Sequence, residues 1–307
     1  MRVFVTGVNG QLGYDTALEL VRRGHDVTIS GTKEIYSGLP GPLEKVPYVQ
    51  LDITARDRVH AVLTDVKPEA VIHCAAWTAV DAAEEAENKD EVWVVNVLGT
   101  QYIAEACRDI DAVMVHISTD YVFNGQGTEP WPADCQDFAP LNVYGASKLA
   151  SEKVVATTLQ RFFIVRIAWV FGPNGKNFVK TMLNLGKTHD TLRVVADQIG
   201  TPTYTPDAAI TLADMISSDK YGYYHVTNSG GYLSWYDFAC EIFRQAGCDV
   251  KVIPVTTAEY GAAKAARPFN SRLDTSKLEI MGFRPLPAWQ DALQRYIAWE
   301  QETEKRG

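Results

Sequence analysis

The sequence lacks most of the features that mark a specialised chain. No apolar run approaches the roughly 20 residues of a membrane-spanning helix, so no membrane partner is expected. The five cysteines, Cys74, Cys107, Cys135, Cys240 and Cys248, are odd in number and scattered. Such spacing supplies neither a disulfide framework nor the close pairs of a zinc site or redox dithiol, and they read as reduced filler residues. None of His25, His60, His73, His116, His189 or His225 has metal-ligand spacing, and each reads as a surface or satisfied core histidine, so no metal is expected. Positive charge is in deficit: 29 Lys+Arg face 38 Asp+Glu, for a net charge of −9. No nucleic acid is expected as partner, because duplex binding draws on clustered cations. An anionic small molecule remains allowed, since a diphosphate needs only a few donors at its pocket. There is no internal repeat or low-complexity tract. Met1-Arg2-Val3-Phe4-Val5-Thr6-Gly7 runs straight into a strand pattern with no room for a leader, so a cytoplasmic location is expected.

What is present is an ordinary globular composition, 46% hydrophobic and 22% charged over 307 residues, enough to bury a full core. Short β-rich runs at 2–6, 26–30, 48–51, 70–73, 112–117 and 162–167 alternate with helical patterns at 12–23, 56–65, 92–108 and 143–159. That alternation predicts an α/β fold, a Rossmann-type doubly wound parallel sheet. Beyond Gly172 the pattern loosens into helices and isolated strands at 192–196, 223–227 and 250–254, closing on a helix at 288–304. We expect residues 1–172 to form an NAD(P)-binding domain. Residues 173–307 should form mainly a smaller mixed α/β substrate lobe, with some segments returning to the first domain. Thr205-Pro206-Asp207 and Ser234-Trp235-Tyr236-Asp237 read as helix starts with a hydroxyl cap.

The first strand runs into Gly7-Val8-Asn9-Gly10-Gln11-Leu12-Gly13, a GxxGxxG loop that opens a helix. Glycine permits a tight turn and close approach to a pyrophosphate, and the helix N-terminus offers free N–H groups. The alternative is a plain glycine-rich corner. At the end of the second strand stands Ser30-Gly31-Thr32-Lys33, with no carboxylate to hold a ribose hydroxyl. Thr32 and Lys33 can accommodate a 2′-phosphate, which favours NADPH with NADH possible; Lys33 could equally be a surface lysine. Asp52 and Ile53, ending the third strand, could flank the adenine.

Tyr144-Gly145-Ala146-Ser147-Lys148 is a YxxxK pair, and four residues along a helix put both side chains on one face. A lysine ammonium there stabilises tyrosinate and makes the phenol a usable proton donor. The pair is weak evidence alone. It gains weight because the preceding strand ends in Ser118-Thr119-Asp120-Tyr121, placing hydroxyls at the edge where such sheets bind ligands. Thr119 could orient a substrate carbonyl while Tyr144 protonates it.

The chain resembles the dTDP-4-dehydrorhamnose reductase family, within the extended short-chain dehydrogenase/reductase superfamily, almost end to end. The residues that carry the likeness are the glycine loop, His73-Cys74-Ala75-Ala76-Trp77-Thr78-Ala79-Val80-Asp81, Ser118 to Phe123, Asn142-Val143-Tyr144 with Lys148, and Arg166 to Phe171. Asp197-Gln198-Ile199-Gly200-Thr201-Pro202-Thr203 and Arg267-Pro268-Phe269-Asn270 complete them. The resemblance implies reduction of dTDP-4-dehydro-L-rhamnose, with Thr119, Tyr144 and Lys148 catalytic and Ala75, Ala76 and Thr78 beside the cofactor. It further implies Thr78, Val80, Asp120, Tyr121 and Trp169 at the sugar, and Asn177, Arg267 and Asn270 near the nucleotide. Trp169 could instead be packing, Arg267 a structural ion pair, and Asp81 and Glu84 a solvated helix start; Trp235 and Trp289 read as packing. His73-Cys74 replaces a frequent Asn-Ala, a change expected to be tolerated if backbone contacts dominate there. Asp15 stands where some relatives place a glutamate of a magnesium-linked dimer, so no metal is implied, and a monomer or homodimer is expected. Other relatives are non-catalytic regulatory subunits, against which the complete Thr119, Tyr144, Lys148 set argues. Reduction or epimerisation of another nucleotide sugar is the remaining alternative.

Overall fold

The computed structural model describes residues 1–261 and 263–306; Ala262 and Gly307, within the expected lobe, lie outside the described residues. The first half runs β1 (Arg2–Thr6), α1 (Gln11–Arg22), β2 (Asp26–Gly31), β3 (Tyr48–Gln50), α2 (Arg56–Val66) and β4 (Ala70–His73). It continues through α3 (Lys89–Trp93), α4 (Thr100–Asp109), β5 (Val113–Thr119), α5 (Val143–Thr158) and β6 (Phe162–Ile167). The remainder comprises β7 (Val170–Phe171), α6 (Phe178–Gly186), β8 (Thr191–Val195), β9 (Ile199–Gly200), β10 (Thr203–Tyr204), α7 (Thr205–Met215) and β11 (Gly222–His225). Last come β12 (Leu233–Ser234), α8 (Trp235–Ala246), β13 (Lys251–Val255), α9 (Thr257–Tyr260), β14 (Asn270–Ser271), α10 (Ser276–Ile280) and α11 (Trp289–Arg306).

The expected doubly wound sheet forms. Its seven strands lie in the order β11-β6-β5-β4-β1-β2-β3, all parallel. Alternation along β1 sends Val3 and Val5 to one face and Phe4 to the other. The first face packs Val3, Val5 and Ile29 against Leu20 of α1 and Leu212 of α7. On the second, Phe4, Val71 and Met114 meet Leu63 of α2 and Ile103 of α4. With both faces covered, the strands are nearly continuous apolar runs. The chain reverses direction between β1 and β4, and the crevice at that point, at the strands' C-terminal ends, is where this architecture binds ligands.

The strand expected at 223–227 joins the main sheet as β11, paired to β6, although the sequence pattern grouped it with the lobe; α7 likewise packs on the sheet. The lobe core gathers Val179 of α6, Phe238 and Ile242 of α8 and Tyr296 of α11. The helix expected at 92–108 is broken by a π-turn at Val94–Gly99. The break turns Asn96 inward, where its side chain accepts from Trp77 N at 2.8 Å and donates to Ser147 Oγ at 2.9 Å. Thr205 does not cap α7: Tyr204 occupies that position and the Thr205 hydroxyl donates to Asp15. Ser234 does cap α8, accepting from Asp237 N at 3.0 Å. Among the described residues no helix is long and apolar enough to cross a membrane.

Candidate active site

A cleft of about 560 Å³ opens at the C-terminal edge of the sheet. Gly7, Asn9, Gly10, Gln11, Leu12 and Gly13 form one wall. Gly7 takes φ +71°, and a Cβ there would stand 2.7 Å from Ala75 N; one on Gly13 would stand 2.3 Å from Gly7 O. Gly10 begins α1 without a side-chain cap, so the first-turn N–H groups stay open to an anion. From beyond β7, Asn174 donates to the carbonyls of Asn9 and Gly10 at 3.0 and 3.1 Å. Thr32, Asp52 and Ile53 line the far end. The chain bends directly after β2, leaving Lys33 exposed and outside the lining, its carbonyl held by the Tyr48 hydroxyl at 2.7 Å.

Ala75, Ala76, Thr78 and Val80 follow β4 into the cleft. Side chains, not backbone alone, organise this loop. The His73 ring spans Thr6 Oγ1 at 2.8 Å and Thr100 Oγ1 at 3.2 Å, and Thr6 Oγ1 accepts from Ala75 N at 3.1 Å. Burial, reinforced by Lys148, holds His73 down at about 3 and therefore neutral.

Thr119 ends β5, and its hydroxyl donates to Asp120 Oδ1 at 3.0 Å. Tyr144 lies in the first turn of α5, which Asn142 caps by accepting from Gly145 N at 2.7 Å. The turn lies against the chain after β5, since a Cβ on Gly145 would meet Tyr121 O at 2.3 Å. Burial and the Asp120 carboxylate push the Tyr144 phenol up, while the Thr119 hydroxyl pulls it down. Lys148, 2% exposed, is lowered to about 8 by burial, against the charge of Glu152. Asp120 is raised to about 6 by burial, against hydroxyl hydrogen bonds from Ser271 and Thr119. The fold thus brings Thr119, Tyr144 and Lys148 together on one cleft wall.

At the other end, Asp120, Tyr121 and Trp169 line the same cleft. Trp235, expected only to pack, lines it too and stacks on Trp169. Trp289 is buried in the lobe core as expected. An adjoining cavity of about 430 Å³ shares Tyr121 and Trp235 with the cleft and includes Asp81 and Arg267. Arg267 is ion-paired to Asp81 at 2.7 Å. Two expected nucleotide contacts carry structural hydrogen bonds of their own. Asn177 caps α6, accepting from Lys180 N at 2.9 Å, and donates to Gly172 O at 3.0 Å. Asn270 is 1% exposed and ties Gln126 O, Glu129 O and Arg272 together. Neither lines the cleft. Asn96 and Asn174 went unread, and Trp235 was read as packing alone, because each acts across a loop whose path no local pattern gives. Among the described residues no group of His, Cys, Asp or Glu gathers as metal ligands.

A doubly wound nucleotide-binding sheet with a glycine loop and a YxxxK pair at its ligand edge defines an oxidoreductase of the extended short-chain dehydrogenase/reductase superfamily. The chain matches the RmlD substrate binding domain family over residues 1–302 and belongs to that family of nucleotide-sugar reductases. It is 39% identical over 311 residues to the dTDP-4-dehydrorhamnose reductase of Aggregatibacter actinomycetemcomitans, spanning 97% of this chain and 99% of the relative. It is also 39% identical over 296 residues to the spore coat polysaccharide biosynthesis protein SpsK of Bacillus subtilis (strain 168), 96% of each chain. The crystal structure of a dTDP-4-dehydrorhamnose reductase from Bacillus anthracis str. Ames in complex with NADP is 40% identical and matches with a TM-score of 0.85, covering 97% of this chain and 98% of that one.

Proposed function

We propose that the protein reduces the 4-keto group of dTDP-4-dehydro-L-rhamnose to give dTDP-L-rhamnose, using NADPH, with NADH as an alternative donor. The observation that carries this function is the convergence on one cleft of a glycine loop with open N–H groups and the Thr119, Tyr144, Lys148 set. The residues fit a dinucleotide: at Gly7 and Gly13 the backbone packs where a Cβ would fall within 3 Å of other backbone atoms, the tight turn and close helix–strand packing a diphosphate loop requires. Gly7, Asn9, Gly10, Gln11, Leu12 and Gly13 would hold the diphosphate. Thr32, with Lys33 at the rim, would face the 2′-phosphate, Asp52 and Ile53 the adenine, and Ala75, Ala76 and Thr78 the nicotinamide. When bound, the dinucleotide supplies the hydride.

The chain's own groups do the rest. Thr119 orients the carbonyl, and Tyr144 gives its phenolic proton to the oxygen as the carbon accepts hydride, so that ketone, hydride and proton sum to the alcohol. The Lys148 ammonium stabilises the tyrosinate left behind. Thr78, Val80, Asp120, Tyr121 and Trp169 would surround the sugar, and Arg267 would meet the nucleotide end in the adjoining cavity. We take residues 1–172 as the cofactor domain and the later residues as mainly the sugar-nucleotide lobe, working in the cytoplasm as a monomer or homodimer.

Purified protein given dTDP-4-dehydro-L-rhamnose should oxidise NADPH, with kcat of Tyr144→Phe lower by about 10²–10⁴-fold. A reductase of a different nucleotide sugar is the second reading, favoured by the equal identity to the spore coat protein. Turnover of another 4-keto nucleotide sugar in place of the rhamnose precursor would select it. Cofactor binding with no turnover on any ketosugar would make the protein a regulatory subunit.

A further inference from the structure

Behind the cleft wall, the Lys148 amine meets a buried imidazole that the proposed chemistry does not use. His116, on β5, is 0% exposed, and its Nε2 lies 3.3 Å from Lys148 Nζ. The same nitrogen lies 2.9 Å from Ser151 Oγ, and Ser151 Oγ donates to the Lys148 carbonyl at 2.7 Å. His116 stacks on His73, with ring centroids 5.6 Å apart. Around Lys148 stand His116 from β5, His73 and Cys74 from the end of β4, and Glu152 from its own helix, while Tyr144, four residues earlier on that helix, lines the same cleft.

These contacts cannot all be satisfied at once. The Ser151 hydroxyl has one proton and Nε2 one lone pair. With the amine charged, Nε2 must be bare to accept from it, which puts the ring proton on Nδ1, a buried nitrogen with no hydrogen-bond partner, so this tautomer is held by the ammonium alone. If Nε2 carries the proton instead, it donates to Ser151 Oγ and turns a donor towards the ammonium. A second positive charge is excluded, because burial and then Lys148 hold His116 well below the ordinary histidine range. The ring is therefore a neutral acceptor whose tautomer follows the charge on the lysine.

We infer that His116 is a positioning residue that, as its Nδ1–H tautomer, accepts a hydrogen bond from the Lys148 ammonium and keeps that amine charged and fixed beside Tyr144, with Ser151 competing for the same ring nitrogen. The inference rests on the reductase function for its catalytic consequence, but its test does not. Removing the acceptor disfavours the charged amine, so His116→Phe lowers the pH at which Lys148 titrates, by about one unit for one charge-assisted hydrogen bond. Ser151→Ala removes the competitor and shifts that titration the other way.

The test is an NMR titration of full-length protein isotope-labelled at lysine Cε, with the Lys148 resonance assigned by its loss in Lys148→Met. Opposite shifts in His116→Phe and Ser151→Ala are expected, with the shift largely reversed in His116→Asn, whose amide oxygen can accept. In the ketosugar assay, kcat of His116→Phe should fall about fivefold near pH 8, approach tenfold at higher pH and fall less at lower pH, with the KM for NADPH within about twofold. An unchanged Lys148 titration in His116→Phe, or a shift of the same sign in both variants, overturns the proposal. Should His116→Phe fail to fold, the upward shift in Ser151→Ala decides alone. Because the titration needs no substrate, failure of the ketosugar assay would remove the reductase function and leave this result standing.

Discussion

The indole of Trp169 lies face to face on that of Trp235, with centroids 3.7 Å apart and planes 15° from parallel. The rings come from different layers. Trp169 follows β6 with a left-handed φ of 49°, and Trp235 opens α8. The stack thus joins the sheet to the lobe at the proposed sugar end. Trp235→Ala removes one face of the pair, worth about 0.5–1.5 kcal/mol beyond its area. Steady-state kinetics should show KM for the nucleotide sugar raised by about tenfold and NADPH affinity nearly unchanged; an unaltered sugar KM would return Trp235 to a packing role.

Asn174 bonds two consecutive carbonyls of the glycine loop. Because a trans peptide points its N–H opposite to its C=O, fixing the Gly10 carbonyl fixes the direction of the Gln11 N–H. Asn174→Ala should weaken NADPH binding by about tenfold, the worth of one or two hydrogen bonds, with kcat at saturation little changed. Calorimetry on the wild type and the variant checks this.

Asp15 is buried beside Thr205, and burial raises its carboxyl to about 7 from 3.8, against the Thr205 hydrogen bond. Since the folded value exceeds the unfolded one, the folded chain binds the extra proton. The resulting stability is fully present below the unfolded value and is lost as pH rises through about 7. Asp15→Asn should remove that loss and be more stable than wild type at alkaline pH by on the order of 4 kcal/mol, with the difference shrinking towards about pH 4. Urea unfolding at both ends of the window measures it; a pH-independent difference would assign Asp15 an ordinary carboxylate.

Arg166 and Glu152 form a fully buried ion pair at 2.7 Å, with the guanidinium also over the rings of Phe123, Phe138 and Tyr223. Glu152→Ala strands a buried cation and should cost about 3–5 kcal/mol in urea unfolding. It also removes a carboxylate that supports the Lys148 charge, so Lys148 should titrate at lower pH in this variant.

The wild-type pH profile should carry the same signature. Lys148 is held down at about 8, so kcat/KM should decline as pH passes that value and the ammonium is lost. A profile flat well above it would separate Lys148 from the chemistry.

The strands, the crossover helices and the glycine loop were legible in the sequence because each is written in a few neighbouring residues. Apolar runs make parallel strands, glycines at fixed offsets make a phosphate loop, and a four-residue interval puts Tyr144 and Lys148 on one helix face. The placement of β11 was not legible, since a four-residue strand, Gly222-Tyr223-Tyr224-His225, does not say which sheet it will join. The π-turn was equally hidden, because a single widened turn keeps the overall helical period.

The sequence alone therefore determined the architecture and the placing of Thr119, Tyr144 and Lys148 at one cleft, since their spacing and strand-end position are local properties of the chain. The tertiary structure decided which polar side chains remain open to a ligand. Arg267 finds Asp81 across 186 residues, Asn270 finds Glu129 across 141, and Lys148 finds His116 across 32. A buried polar group must be matched by whatever partner the fold delivers, and only the folded backbone says which partner arrives.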